Sequence, residues 1–134
     1  MHSQRDLEIY KIAVKKWNDK KERLNYNDLP ESLKTHKNRK SFLDRFKVVA
    51  SDLFTSHTVV AHISRDGHSY IHPDINQNRS ISPREAARLQ SFPDDYYFEG
   101  FAEAPARTPA FCQIGNAVPV EFAKTIAEGL LENW

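Results

Sequence analysis

Residues 79–96 read RSISPREAARLQSFPDDY, and this stretch specifies a helix start residue by residue. Ser82 is placed as the N-cap. Pro83 takes the first helical position, where its missing N–H leaves no bond unmade, and Glu85 stands three residues after the cap to close a capping box. Ile81 precedes the cap and is spaced to staple against Ala86. Pro93 is expected to stop the helix after about ten residues. That leaves Arg84, Glu85 and Arg88 as its charged positions.

The end of the chain repeats the logic. In QIGNAVPVEFAKTIAEGL, residues 113–130, Gly115-Asn116 predicts a turn and Pro119 opens a helix. Val118, Phe122, Ile126 and Leu130 recur every four residues as one apolar stripe. A turn of small residues feeding a helix N-terminus exposes backbone N–H groups that suit a polar or anionic ligand. Cys112, the single cysteine, stands just before it. As a nucleophile it would need a histidine, a basic group or a helix N-terminus to lower its pKa.

Upstream, SQRDLEIYKIAVKKWNDKKER (residues 3–23) spaces Leu7, Tyr10, Val14 and Trp17 as the inner face of an amphipathic helix, with Ser3 as N-cap and Asp6 three residues on. Pro30 begins a short helical turn. SFLDRFKVV (41–49) predicts a second helical face through Phe42, Leu43 and Phe46, all assigned to the core. The character changes at SHTVVAHISRDGHSYIHPD (56–74), where two β-rich runs, 58–63 and 68–72, flank Asp66-Gly67. That dipeptide favours tight hairpin turns, so a β-hairpin is expected. Its histidines, His57, His62, His68 and His72, match no ligand spacing and are joined by no cysteine or carboxylate cluster, so no metal site is expected.

With 134 residues, 40% of them hydrophobic, the chain can bury an ordinary core and predicts one compact domain. A lone cysteine excludes an internal disulfide, and no apolar run has the length of a bilayer span or a signal peptide core. An intracellular, reducing location is expected. The net charge of +1 hides an asymmetry. Residues 1–50 hold 13 Lys and Arg against 7 Asp and Glu, and the remainder 6 against 11. A basic half joined to an acidic one suits a polyanion on one side and a different partner on the other.

Taken together, RSISPREAARLQSFPDDY and QIGNAVPVEFAKTIAEGL resemble the two C-terminal signature blocks of the DNA cytosine-5 methyltransferases, in the right order and spacing. HTVVAHISRDGHSYIHPD resembles the closing part of that family's target-recognition domain. The resemblance implies S-adenosylmethionine as methyl donor and a cysteine thiolate that adds to C6 of a cytosine flipped from duplex DNA. The family's nucleophile stands in a Pro-Cys pair within an N-terminal catalytic lobe. Here Phe111 precedes Cys112, and the chain holds no Glu-Asn-Val triplet, Gly-rich cofactor loop or Gln-x-Arg-x-Arg block, so no catalytic residue is assigned and Cys112 is read as a bystander.

By motif match, Asn116, Ala117 and Val118 form part of the cofactor wall, against the methionine portion of S-adenosylmethionine. Arg84, Glu85 and Arg88 organise the recognition lobe, with arginine's planar fork suited to backbone carbonyls or a carboxylate. Thr58 meets the DNA backbone, and His62, Ser64, Arg65 and His68 are candidates for base contact.

The expected class is α+β. N-terminal helices and a hairpin-bearing recognition part over 1–79 lead to the capped helix at 80–98 and a hinge at 99–110. The segment 111–134 holds the turn and a helix that in the family packs on a Rossmann-like lobe. Duplex DNA, a catalytic lobe or subunit and a second copy bound through the C-terminal helix are the expected partners, in a bacterial cytoplasm and with no membrane. A stand-alone DNA-binding module without chemistry is the alternative, and a structural domain that binds a partner through the final helix is a third.

Overall fold

A computed structural model describes residues 2–98 and 107–134. The chain divides into two compact units, Met1–His57 with Asp66–Ile81, and Thr58–Arg65 with Ser82–Trp134. Each is built on helices, and no strand longer than an isolated bridge occurs among the described residues.

The first unit is organised by α1, Gln4–Lys20. Ser3 caps it through a complete capping box with Asp6, and Lys21 ends it in the left-handed region at φ 57°. Tyr10 and Val14 are buried together with Ile9 and Ala13. They join Leu24, Tyr26, Leu29, Leu33, Phe46 and Ile71 in one apolar core. The short helical turn expected at Pro30 is present as Glu31–Leu33.

The second helical face expected at 41–49 does not form. Phe42 adopts φ 54°, a conformation that no helix interior accepts, and is 77% exposed. Phe46 does reach the core, stacked on Tyr26 with ring centroids 6.2 Å apart. Arg45 helps to bend the segment by donating from Nε to the Phe42 carbonyl at 2.9 Å, and its guanidinium lies 4.2 Å from the Tyr26 ring centroid.

The predicted hairpin is also absent. Residues 61–64 and 67–69 form 3₁₀ turns, and the strand-like run at 68–72 pairs elsewhere. Ile71 bridges Val48 in parallel and Ser80 in antiparallel fashion. Its N–H donates to the Lys47 carbonyl at 2.8 Å, while its own carbonyl accepts from Val49 N–H at 2.9 Å. Asp66-Gly67 therefore closes no two-stranded ribbon. Buried Ile71 finds its partners in the aromatic segment before it and the Arg79–Ile81 segment after it, because only there does its backbone pair while its side chain joins the core.

In the second unit, α2 (Pro83–Leu89) starts as expected, with Ser82 and Glu85 closing the capping box and Pro83 in the first turn. It is seven residues long, shorter than expected, and Pro93 is not what ends it. Ser91 adopts φ 56°, its N–H donates to Arg88 O, and Phe92 N–H donates to Ala87 O, both at 3.0 Å. These two bonds form a Schellman motif with serine where glycine is usual.

Helix α3, Arg107–Asn116, packs against α2 and against the turn Ala61–Ser64. Of the hinge expected at 99–110, residues 99–106 lie outside the described residues and 107–110 are the first turn of α3. Gly115 and Asn116, expected as a turn, close that helix, and the chain bends one residue later, ahead of α4, Val120–Glu132.

Gly115 is required by contact. A Cβ placed there would lie 2.7 Å from the Val60 carbonyl oxygen and 3.0 Å from both Ala61 Cα and Ile63 Cγ2. Gly129, in α4, has nothing within 4 Å of the same position. Gly115→Ala is expected to destabilise the chain by roughly 1–3 kcal/mol through overpacking, whereas Gly129→Ala is expected to be neutral or to stabilise by up to about 1 kcal/mol. Urea denaturation of the two variants checks the contrast.

His57, half-buried, donates from Nε2 to the Ser69 carbonyl at 2.6 Å and stacks on Tyr70. Burial lowers its pKa below the usual histidine value, aided by Lys47 and Arg23, although the Ser69 carbonyl works the other way. Below about pH 6.5 the unfolded chain therefore takes up this proton more readily than the folded one. The His57 contribution to stability is complete above that pH and declines as pH falls through the lower folded value. His57→Gln is expected to flatten that part of a thermal midpoint profile measured from pH 7.5 downward.

Candidate functional site

Two consecutive residues after α2, Gln90 and Ser91, hold the segment between α3 and α4. Gln90 is buried, and its carboxamide donates both N–H groups, to Ile114 O at 3.1 Å and Ala117 O at 3.3 Å. Its backbone carbonyl accepts from Val120 N–H at 3.0 Å, and Ser91 Oγ accepts from Glu121 N–H at 3.0 Å. Pro119, the N-cap of α4, contributes no side-chain bond. The first two N–H groups of α4 are thus capped from outside the helix, which a helix N-terminus lacking a capping side chain needs.

The left-handed conformation of Ser91 thereby acquires a second role, because the residue that terminates α2 also caps α4. Asn116, Ala117 and Val118 lie inside this clasp, pinned on both sides by main-chain bonds. Asn116 and Val118 are exposed, and Ala117 is half-buried. No sequence signal distinguished Gln90 from an ordinary helix-end glutamine. Its burial and its two carbonyl partners come only from the folded chain.

The arginines of the same block bind backbone and carboxylate groups nearby. Arg84 donates from Nη2 to Tyr96 O at 2.8 Å and from Nη1 to Pro93 O at 3.3 Å, with its guanidinium 5.7 Å from the Phe98 ring centroid. Arg88 makes a bidentate pair with Asp94 at 2.7 and 2.9 Å. The hydrogen bonds from Arg88 hold the Asp94 carboxyl below its usual pKa. Both residues being well exposed, the pair orders the 93–98 loop more than it stabilises the chain. Glu85 accepts from Ser82 N–H within the capping box at 2.6 Å.

Thr58, His62, Ser64 and Arg65 all fall on the short segment 58–65, anchored by the buried Ile63 and by the contact of Val60 and Ala61 with Gly115. Thr58, His62 and Arg65 are exposed, and Ser64 is half-buried. His68 belongs to the first unit. Its Nδ1 shares a hydrogen bond with Tyr10 Oη at 2.8 Å, and its ring lies 5.2 Å from that of Phe46. The same neighbourhood brings His2 and Asp6 within reach of His68, with one potential ligand atom from each lying within 4.8 Å of the others. Cys112 is a half-buried free thiol on α3.

Helix α4 buries none of its residues within the chain. Val118, Phe122, Ile126 and Leu130 are between 47% and 62% exposed. Phe122, Ile126 and Leu130 form the predicted stripe on α4, uncovered among the described residues, whereas Val118 precedes the Pro119 cap and lies outside the helix.

A family model for C-5 cytosine-specific DNA methylases matches residues 2–132. The chain belongs to that family. It is 54% identical over 95% of its length to the Type II methyltransferase M.Bpa9945I of Bacillus paralicheniformis, covering 27% of that protein. It is 43% identical over 94% of its length to the putative Type II methyltransferase M.OihORF3336P of Oceanobacillus iheyensis, covering 25%. The Lactococcus lactis Type II methyltransferase M1.ScrFI is 34% identical over 92% of the chain, which covers 28% of it. The chain therefore spans about a quarter of the length of these relatives. No solved structure matches it. No helix among the described residues is long and apolar enough to cross a membrane.

Gln90→Glu retains the shape of the side chain but points a carboxylate at two carbonyl oxygens in a buried position. A loss of about 2–3 kcal/mol is expected. Chemical denaturation measures it, and amide hydrogen exchange should show the Val120 and Glu121 N–H groups losing protection together.

Proposed function

We propose that this chain is the C-terminal part of a DNA cytosine-5 methyltransferase, contributing target recognition and one wall of the S-adenosylmethionine site to a catalytic lobe that carries the nucleophilic cysteine. The observation that carries the reading is the arrangement at 116–130. A clasped Asn116-Ala117-Val118 segment opens directly into a helix whose apolar stripe has no cover among the described residues. An apolar surface of this kind belongs against another body, and in this family that body is the catalytic lobe beside the cofactor.

Asn116 is chemically suited to the amino-acid end of the methyl donor, because a carboxamide both donates to a carboxylate and accepts from an ammonium. On the DNA side, Thr58 would fix register on a phosphate, while Arg65, with His62 and Ser64 beside it, is placed to meet a base edge. His68 is held by Tyr10 within the first unit and contributes there by positioning. Arg84 and Arg88 keep the 93–98 loop ordered. Without the catalytic lobe, the α4 stripe pairs the chain with a second copy through the same residues.

Incubating duplex DNA and labelled S-adenosylmethionine with the chain alone, and with a polypeptide supplying the N-terminal lobe of a relative, tests the assignment. Label is expected in cytosine only from the mixture, and Phe122→Asp is expected to abolish both this complementation and the dimer seen by light scattering. Incorporation by the pure chain would overturn the division of labour. DNA binding by the chain is expected to weaken about tenfold or more between roughly 50 and 200 mM salt. Salt-independent affinity, or none at low salt, would support a structural interaction domain instead.

A further inference from the structure

The first unit contains a constellation outside the proposed cofactor wall, and of its residues only His68 was a candidate for DNA contact. His2, immediately before α1, Asp6, in its first turn, and His68, in the short turn Gly67–Ser69, converge with one potential ligand atom each inside 4.8 Å. We propose that these three residues bind a divalent first-row transition ion of the zinc class. The ion would cross-link the start of the chain to the 67–69 turn.

The donor set selects the ion. Two imidazole nitrogens and one carboxylate oxygen suit zinc, nickel, cobalt or copper, whereas calcium and magnesium prefer oxygen ligands throughout. A three-residue set leaves a coordination position for water. Each ligand is also oriented by a hydrogen bond within the unit. His2 Nε2 meets Ser80 Oγ at 2.9 Å, the outer hydrogen bond that fixes the ring of a ligating histidine. Asp6 holds Ser3 N–H and Ser3 Oγ with Oδ2 alone, at 2.9 and 2.7 Å. His68 is oriented through Nδ1 by Tyr10 Oη and by its contact with Phe46.

On two of the three residues these bonds leave a ligand atom over. Asp6 Oδ1 and His68 Nε2 have no hydrogen bond among the described residues. Tyr10 Oη, on a fully buried ring, also meets His2 Nδ1 at 3.1 Å and so holds both imidazoles near one place; with Nε2 taken by Ser80, an ion reaches His2 by replacing Tyr10 at Nδ1. Ligand bonds of about 2.0–2.2 Å require the donor atoms to close to roughly 3.5 Å. His2, Asp6 and His68 are all half-buried.

Isothermal titration of the full chain with zinc chloride tests the site, with thermal unfolding beside it. One ion per chain is expected, with a rise in the unfolding midpoint that EDTA reverses and a visible absorption band when cobalt replaces zinc. Asp6→Asn keeps an oxygen for the Ser3 bonds and so keeps the fold, checked by circular dichroism. It is expected to weaken zinc binding by at least about tenfold. His68→Ala removes a ligand outright and should do the same. Substituting the exposed His36 and His62 by alanine should leave affinity unchanged. No binding at a roughly tenfold molar excess of zinc would overturn the proposal. So would binding that survives Asp6→Asn and disappears with His36 or His62.

Discussion

The buried carboxamide of Gln90 is the bond on which the second unit depends. A glutamine N–H₂ group can satisfy two acceptors, and here both are main-chain carbonyls, at the end of α3 and in the bend that follows. The adjoining Gln90 carbonyl and Ser91 hydroxyl then take the first N–H groups of α4. Four bonds from two residues fix the path of the chain between two helices. Because that path includes Asn116 and Val118, any ligand received there meets a surface ordered before the ligand arrives.

This clasp works because α2 ends when it does. A helix continuing to Pro93 would carry residue 91 round its own axis, and its hydroxyl could not face α4. The Schellman bonds of Ser91 and Phe92 stop the helix early and place residue 91 in the left-handed region, at a cost of about 1 kcal/mol for a residue with a Cβ. Gly115 supplies the complementary economy of space on α3. Without a side chain, its helix approaches the Val60–Ile63 backbone closely enough to hold the whole 58–65 segment. The residues proposed to meet DNA and those proposed to meet the cofactor thus share one support, the last turn of α3.

The first unit solves a different problem. Its core is rich in aromatic residues, with Tyr10, Tyr26 and Phe46 in contact, and tyrosine brings a hydroxyl that must be satisfied inside. Tyr26 accepts from His36 N–H at 2.7 Å, and Tyr10 meets His2 and His68. His68, a candidate for DNA contact in the sequence, is held instead by the Tyr10 hydroxyl. The proposed metal cluster is a consequence of the same packing. A buried Tyr10 gathers two imidazoles beside the aspartate of the α1 capping box.

The sequence by itself determined the features that depend on near neighbours. Both capping boxes, at Ser3 and Ser82, the start of α1 and the every-fourth-residue stripe on α4 are written in spacings of three and four, and local geometry alone enforces them. The family was legible for a similar reason, since its signature blocks are contiguous. What only the tertiary structure decided are pairings between distant residues. Ile71 bonded to Lys47 and Val49, and its neighbours Tyr70 and His72 to Ile81 and Arg79, rather than folding back on the 58–63 run, because a buried backbone group takes whichever partner also lets its side chain reach the core. Phe42 left the core while Phe46 entered it, and Gln90, Gly115 and the His2, Asp6 and His68 cluster acquired their roles from residues up to 78 positions away. No periodicity encodes such contacts, because each is fixed by where two separately folded segments meet.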